Sequence, residues 1–203
     1  MKVLLIEAGG HAHWNAFVNI PALFILGLGR SHDWAFNTQP QRDSRSRVHF
    51  WPRGKVVGGS SALNAMLYVR GNPQDYDHWA IDHGCSGWAW EDVLPYFIKS
   101  ERSVLPATEI DKELHGTKGE LSVSRATNGN PLAISKTFVR AAEAIGLGAR
   151  ADGGVSYQDI GPQTKSGIGA DYNGTSQFRT SISQTTIDNG VRCSTAKALK
   201  QFH

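Results

Sequence analysis

The sequence predicts a mixed α/β fold, and three segments carry that expectation. Val3–Ile6 is an unbroken run of four apolar residues closed by the acidic Glu7. An apolar run without alternation is typical of a strand buried on both faces of a parallel sheet. Glu91–Lys99 and the segment 130–146 place their apolar residues three and four apart. That spacing predicts helices with one buried face.

The remaining elements are short and separated by turn residues. The segment 130–146 begins with Asn130, a usual N-cap residue, followed by Pro131, which is common in the first helical turn. It ends at Gly146, a usual residue at a helix C-terminus. From residue 146 to residue 177, eight glycines among 32 residues predict a long loop. The other predicted elements are a helix over Pro21–Leu28, a strand around Trp34–Thr38, a helix over Ser60–Val69, a strand at Leu121–Val123, a turn at Asp188–Gly190 and a helix from Ser194 through Leu199.

Composition excludes several classes of protein. The chain has 203 residues with 19% charged, enough to bury a core and too few charges for a self-repelling polymer. The net charge of +3 comes without a sustained basic face, which argues against a nucleic-acid partner. Arg42, Arg45 and Arg47 are the densest basic group, and a solvated loop is the favoured interpretation. No apolar run approaches the ~20 residues of a membrane helix. No targeting segment is visible, so no compartment is assigned.

Metal and disulfide chemistry are not indicated. Cys85 and Cys193 form neither a disulfide framework nor a metal-binding CxxC pair. His11 and His13 are a close pair, but spacing indicates no third ligand. The sequence therefore predicts no metal site.

Glu7 is the first candidate for ligand chemistry. An acidic residue at the end of the second strand of a dinucleotide-binding βαβ unit accepts hydrogen bonds from the adenosine ribose. The glycine fingerprint of such a unit belongs about 20 residues upstream, where this chain has only Met1 and Lys2. The letters of residues 146–151 fit GxGxxA, but they follow a helix rather than a strand, and we reject them.

The glycine-rich stretch Arg53–Ser61 is the second candidate. Adjacent Gly58 and Gly59 let a ligand approach the backbone, and a following helix would present free N–H groups to an anion or an electron-rich ring. Two alternatives stay open: a plain glycine-rich turn, and a serine-hydrolase elbow with Ser60 as nucleophile. The residues before Gly58 do not read as the buried strand that such an elbow needs.

Together these segments resemble the glucose–methanol–choline (GMC) family of flavoprotein oxidoreductases, in the style of its choline-dehydrogenase-like branch. The resemblance starts at Val3–Gly10 and is most specific over Trp51–Gly71, the sequence WPRGKVVGGSSALNAMLYVRG. Further matching blocks are Asp75–Trp79, Gly87–Phe97, His115-Gly116 with Gly119, Asp171–Gly174 and Arg192–Ala196.

The resemblance implies an FAD-dependent enzyme that oxidises the CH–OH group of a small-molecule alcohol, with FAD in a Rossmann-type domain. Some members tether the flavin through a histidine at the position of Leu63, so non-covalent FAD is expected here. No catalytic residue is assigned, because the family's histidine pair has no counterpart in these residues. The cofactor-binding residues implied by the resemblance are Glu7, Ala8, Arg53, Val56, Val57, Gly58, Gly59, Ser60, Asn64, Ala65, Met66 and Leu67.

The same resemblance implies an interior piece of a longer enzyme. Residues 1–125 are expected to be a partial FAD-binding domain, and residues 126–203 a helical and glycine-rich continuation. The first strand with its fingerprint and the C-terminal catalytic part are expected to be missing. Alone, the chain is then expected to express poorly, to hold no stoichiometric FAD and to oxidise no alcohol. A non-catalytic binding module is the alternative function.

Overall fold

The computed structural model describes residues 4–106, 110–125, 132–144, 173 and 182–198. These residues belong to two compact units, one made of residues 1–66 with 186–203 and the other of residues 67–185. Both units contain helices and strands, so the mixed α/β class is confirmed. The domain boundary expected at residue 125 stays a prediction.

Short helices and strands alternate along the chain. The helices, in chain order, are α1 (Ala16–Asn19), α2 (Phe24–Gly27), α3 (Pro73–Ile81), α4 (Trp90–Ser100), α5 (Ala133–Ala144) and α6 (Thr195–Ala198). The strands are β1 (Phe36–Asn37), β2 (Phe50–Trp51), β3 (Leu67–Tyr68), β4 (Glu101–Ser103), β5 (Leu121–Arg125), β6 (Gln184–Thr185), β7 (Ile187–Asp188) and β8 (Val191–Arg192). Single 3₁₀ turns cover Pro21–Leu23, Arg42–Ser44 and Gly59–Ala62. No helix in the described ranges is long and apolar enough to cross a membrane.

The first unit holds two small antiparallel ribbons. β1 pairs with β2 so that Phe36 lies opposite Trp51, which confirms the strand predicted around Trp34–Thr38. β7 pairs with β8 across Asn189-Gly190. Both turn residues have positive φ, 49° and 77°, as the tight two-residue hairpin turn requires, and the predicted turn is confirmed. Val18, Val56 and Ala62 form the buried core of this unit.

The second unit is organised around a four-stranded sheet of order β3-β6-β5-β4. β4 and β5 run parallel, and the other two pairings are antiparallel. Val123 and Ser122 of β5 are fully buried. The sheet confirms the strand predicted at Leu121–Val123.

Local capping explains where three helices begin. The Asn15 side chain accepts from the Phe17 N–H at 2.9 Å, and the Asn72 side chain accepts from the Gln74 N–H at 3.0 Å. α4 begins after Ala89, whose N–H donates to Asp92 at 3.1 Å. Such bonds satisfy N–H groups that the first helical turn leaves without partners.

Four predicted helices are observed, with shifted ends, and the one predicted from Ser194 through Leu199 is α6 (Thr195–Ala198). The helix predicted over Pro21–Leu28 is a 3₁₀ turn followed by α2. Glu91–Lys99 lies within α4, and the segment 130–146 contains α5. The caps predicted at Asn130 and Gly146, the loop that follows Gly146 (apart from Asn173) and Leu199 lie outside the described residues.

The strand predicted at Val3–Ile6 is wrong for the residues that the structure describes. Residues 4–7 form no strand, and Leu4, Leu5 and Ile6 are 83%, 56% and 85% exposed. A strand needs a neighbour to receive its hydrogen bonds, and no described strand lies beside these residues. The nearest bridge in the sequence is an isolated parallel one between Gly10 and Val56.

The helix predicted over Ser60–Val69 is also wrong, since it ends after a single 3₁₀ turn at Ala62. Two causes are visible. Met66 has a φ of +63°, which a right-handed helix does not allow. The carbonyls of Ser61 and Asn64, which would accept helical hydrogen bonds, accept from the Arg192 guanidinium instead.

Candidate functional site

Asp33 fixes the stretch that begins the glycine-rich segment. It is buried, and its carboxylate accepts three backbone N–H bonds: from Gly29 at 2.8 Å, Ala35 at 2.9 Å and Arg53 at 2.8 Å. Backbone bonds on either side, Trp34 N–H to Arg53 O and Lys55 N–H to His32 O, are both 2.8 Å. Residues 53–55 are therefore held in extended form beside residues 32–34.

Burial and hydrogen bonding oppose each other at this carboxylate. Burial by itself raises the pKa of Asp33, but the three N–H donors and neighbouring His32 hold it below the usual range. Burial lowers the pKa of His32, against the pull of the Asp33 charge. Asp33 is thus ionised at neutral pH, and its carboxylate can accept the hydrogen bond from the Arg53 N–H.

The segment ending at Gly10 lies along the same stretch. The Val57 N–H donates to the Gly10 carbonyl at 3.1 Å. A β-carbon at Gly9 would overlap the Lys55 carbonyl, so only glycine fits there. Glu7 is exposed, and its carboxylate accepts from the Gly9 N–H at 2.7 Å. Glu7 and Ala8 therefore lie in the loop that contains Gly10, the residue that pairs with Val56 and Val57.

The glycine-rich segment then folds back on itself. The Gly54 N–H donates to Ser60 Oγ at 3.1 Å, and a β-carbon at Gly54 would overlap the Gly59 backbone. Gly58 and Gly59 have φ values of +101° and +55°. The open side of Gly59 has no neighbour within 4 Å of the place of a β-carbon. The result is a tight loop with one face clear for a ligand.

Ser61 ties this loop to the C-terminal helix α6. Its hydroxyl donates to the Gly58 carbonyl at 2.5 Å and accepts from the Thr195 N–H at 3.0 Å. A β-carbon on Gly58 would stand 3.1 Å from that of Ala196, so the two backbones are close. The positions of Gly58 and Gly59 are consequently set by α6 as well as by local sequence.

Arg192 holds the end of the segment. It is 1% exposed, and its guanidinium donates from Nε to Val18 O at 2.7 Å and from Nη1 to Asn64 O and Asn64 Oδ1, each at 2.8 Å. Asn64 Oδ1 also accepts from the Met66 N–H at 2.9 Å. Burial lowers the pKa of Arg192 to about 10, so the side chain is still a cation at neutral pH.

Two concave regions result in the first unit. A small pocket of about 200 Å³ is lined by Pro52, Arg53, Ser60, Leu63 and Asn64. A larger groove of about 540 Å³ lies beside Val57, Ala62 and the pair His11 and His13. The small pocket offers a guanidinium, a hydroxyl and an amide beside apolar carbon, which suits a planar, electron-rich ligand.

The predicted residues are distributed unevenly around these features. Arg53, Ser60 and Asn64 share the small pocket, whereas Val57 lines the groove. Val56 is buried in the core. The Met66 side chain is buried as well, so a ligand would meet its backbone, whereas Leu67 is 61% exposed and Ala65 is also exposed.

Sequence reasoning missed Asp33 and the structural roles of Ser61 and Arg192. An Asp 20 positions before Arg53 gives no local signal, since its partners are backbone groups that only the fold assembles. Burial of Arg192 could have been suspected from its position in a short β-turn-β pattern, next to the apolar Cys193. Its partners in the segment 61–64 lie more than 120 positions away.

The geometry around Ser60 does not match a hydrolase elbow. Such an elbow places the serine between a buried strand and a helix. Here the serine lies in a four-residue 3₁₀ turn, and its Oγ accepts from the Gly54 N–H rather than bonding a described histidine.

Comparison with known proteins gives a consistent result. Glucose dehydrogenase (FAD, quinone) of Drosophila melanogaster is 40% identical over 201 residues, covering 97% of this chain and 28% of that protein. Oxygen-dependent choline dehydrogenase of Brucella anthropi is 38% identical over 198 residues, covering 97% of this chain and 31% of that protein. The chain thus spans about 30% of the length of these relatives.

A solved structure and a family profile also match this chain. The crystal structure of pyridoxine 4-oxidase from Mesorbium loti matches with a TM-score of 0.73 and 30% identity, covering 99% of this chain and 35% of that one. The profile of the GMC oxidoreductase family matches residues 3–198. With a match of that extent, the chain belongs to the GMC oxidoreductase family of FAD-dependent enzymes.

Proposed function

We propose that this chain forms part of the FAD site of an oxidoreductase that acts on the CH–OH group of a small-molecule alcohol. Family membership supports the cofactor and the reaction class. The single observation in the structure that carries the proposal is the small pocket that unites Arg53, Ser60 and Asn64. These residues lie up to 11 positions apart, and the fold-back at Gly54 brings them to one cavity.

The residues present fit an FAD molecule. Gly59 has open space on one side of its backbone, as close approach of a ligand requires. The Asn64 amide and the Arg53 guanidinium are donors suited to the electron-rich oxygens and nitrogens of a flavin ring. Leu63 is 5% exposed and carries no nucleophile, so the proposal is for non-covalent FAD.

Each group has a binding or orienting role. Glu7, in the loop that packs on Lys55 and Val56, is proposed to hold the adenosine ribose, with Ala8 beside it. Val56, Val57, Gly58, Gly59 and Ser60 are proposed to line the flavin and diphosphate region. The backbone of Asn64, Ala65, Met66 and Leu67 is proposed to lie along the ring.

Bound FAD supplies the hydride acceptor for the carbon that carries the hydroxyl group. The described residues shape and polarise the ring's surroundings, and none of them is proposed as the base that removes the hydroxyl proton. The proposal does not specify the alcohol. The relatives' names refer to glucose, choline and pyridoxine.

A segment replacement tests this function. In the replacement enzyme, residues 4–198 of this chain take the place of the matching segment of pyridoxine 4-oxidase. The purified protein is mixed, without oxygen, with pyridoxine, choline and glucose in turn, and the flavin absorbance is recorded. We expect bound FAD and bleaching by at least one alcohol.

The unmodified pyridoxine 4-oxidase is the positive control. A replacement enzyme that is folded by circular dichroism but colourless contradicts the proposal. That outcome favours a non-catalytic binding module. A yellow protein that no alcohol of a broad primary and secondary panel bleaches contradicts the reaction class but not the cofactor.

A further inference from the structure

We infer that Arg192 is a positioning residue that fixes which end of the Asn64 amide faces a ligand, and this inference rests on the proposed FAD site. Asn64 Oδ1 lies 2.8 Å from Arg192 Nη1 and 2.9 Å from the Met66 backbone nitrogen. Both neighbours are N–H donors and neither has an acceptor to offer. The amide can therefore only turn its oxygen inward, toward Arg192.

The consequence is a directed donor at the pocket. With the oxygen engaged twice, the amide nitrogen Nδ2 points away from Arg192 and donates to no described residue. Asn64 is exposed and lines the small pocket with Arg53 and Ser60. The two Nδ2 protons are thus presented to whatever fills the pocket.

Arg192 also brings a buried positive charge. It is 1% exposed, and among the described residues no carboxylate pairs with it. Its Nη2 is buried without a hydrogen-bond partner in that part of the chain. A cation next to the Asn64 oxygen polarises the amide and strengthens its N–H groups as donors. The site is therefore tuned for a ligand edge that gains negative charge, which is the chemistry of a flavin ring on reduction.

Three substitutions separate orientation, charge and bulk stability. Asn64→Asp keeps the inward acceptor for Arg192 and Met66 and removes the outward donor. Arg192→Met removes the charge and the bonds while keeping a long side chain. Arg47→Met is the matched control, because Arg47 is exposed and lies outside the site.

The first measurement needs no cofactor. Thermal unfolding of the full 203-residue chain is compared for Asn64→Ala, Arg192→Met and the double variant. We expect the double variant to lose less melting temperature than the sum of the single losses, because either change removes the same contact. Asn64→Asp should melt no lower than the parent. Additive losses, or aspartate as harmful as alanine, overturn the inference.

The second measurement uses the FAD-loaded replacement enzyme. We expect Arg192→Met and Asn64→Asp each to make the flavin reduction potential more negative, with Arg192→Lys restoring part of the loss and Arg47→Met without effect. An unchanged potential in both variants overturns the inference while leaving the FAD site standing. If the parent replacement enzyme binds no FAD, the proposed function is wrong, and so is the proposed effect of Arg192 and Asn64 on the flavin. The unfolding cycle still decides the Arg192–Asn64 contact.

Discussion

Gly9 lies directly against the Lys55 carbonyl, so that a β-carbon at position 9 would overlap that oxygen and the following amide. This contact joins two segments that lie 46 positions apart in the sequence. It places the loop that carries Glu7 beside the start of the glycine-rich loop. The relation explains why position 9 is a glycine rather than a larger residue.

Gly9→Ala should destabilise the first unit by about 1–3 kcal/mol, because the new methyl group meets backbone that cannot move aside. Gly10→Ala is the matched control, since nothing lies within 4 Å of its added β-carbon. Urea unfolding of both variants measures the difference. Equal midpoints for the two variants would contradict the close contact.

Asp33→Asn should cost about 1–3 kcal/mol at pH 7, because the amide cannot accept from all three buried N–H groups as the carboxylate does. The pH dependence has a defined sign. The folded pKa of Asp33 is lowered, so its stabilising effect is present above the ordinary value of about 4 and is lost as the pH falls through the folded value. Unfolding midpoints between pH 7 and pH 2 should fall less steeply at the acid end in Asp33→Asn.

The control for this experiment is Asp43→Asn, at an exposed position in the loop between β1 and β2. Its acid limb should match that of the parent. If the unfolding midpoint of Asp33→Asn falls as steeply at acid pH as that of the parent, the three hydrogen bonds to the Asp33 carboxylate do not stabilise the fold.

Glu101→Gln should destabilise the second unit by about 3–5 kcal/mol. Glu101 is 0% exposed, forms an ion pair with the buried Arg70 and lies 3.0 Å from His115 Nδ1. Removing its charge leaves Arg70 buried without its anion. Glu113→Gln, at an exposed position nearby in sequence, is the matched control. Comparable melting temperatures for the two variants would show that the buried pair adds no stability.

Ser60 should not react with a fluorophosphonate probe. Its hydroxyl accepts from the Gly54 N–H, and a serine nucleophile needs a base to take its proton. Mass spectrometry of the probe-treated chain, with Ser60→Ala as a blank, measures the labelling. Stoichiometric modification of Ser60 would support a hydrolase and contradict the flavin assignment.

Elements set by local chemistry could be predicted from the sequence. The hairpin at Asn189-Gly190 and the amphipathic α4 depend on residues within a few positions of each other, and both are observed. The strand at Val3–Ile6 and the helix at Ser60–Val69 depend on distant partners. For the helix, the deciding partners are β6, which pairs with Leu67–Tyr68, and Arg192, which takes the carbonyls of Ser61 and Asn64.

The candidate site divides in the same way. Family motifs point to Arg53, Ser60 and Asn64, and the structure places these three at one pocket. The residues that hold the pocket in shape were not predictable, since Asp33 and Arg192 act mainly on backbone atoms. Backbone groups are the same at every position and leave no trace in the sequence.

The FAD site is tested most simply by the ratio of FAD to polypeptide in the replacement enzyme, read from its absorbance after gel filtration. We expect a ratio near that of unmodified pyridoxine 4-oxidase. We expect a large loss in Gly54→Val, because the valine side chain would overlap the Gly59 backbone and open the loop. A folded replacement enzyme without FAD, or a Gly54→Val variant that keeps its full complement, would contradict the proposed FAD site.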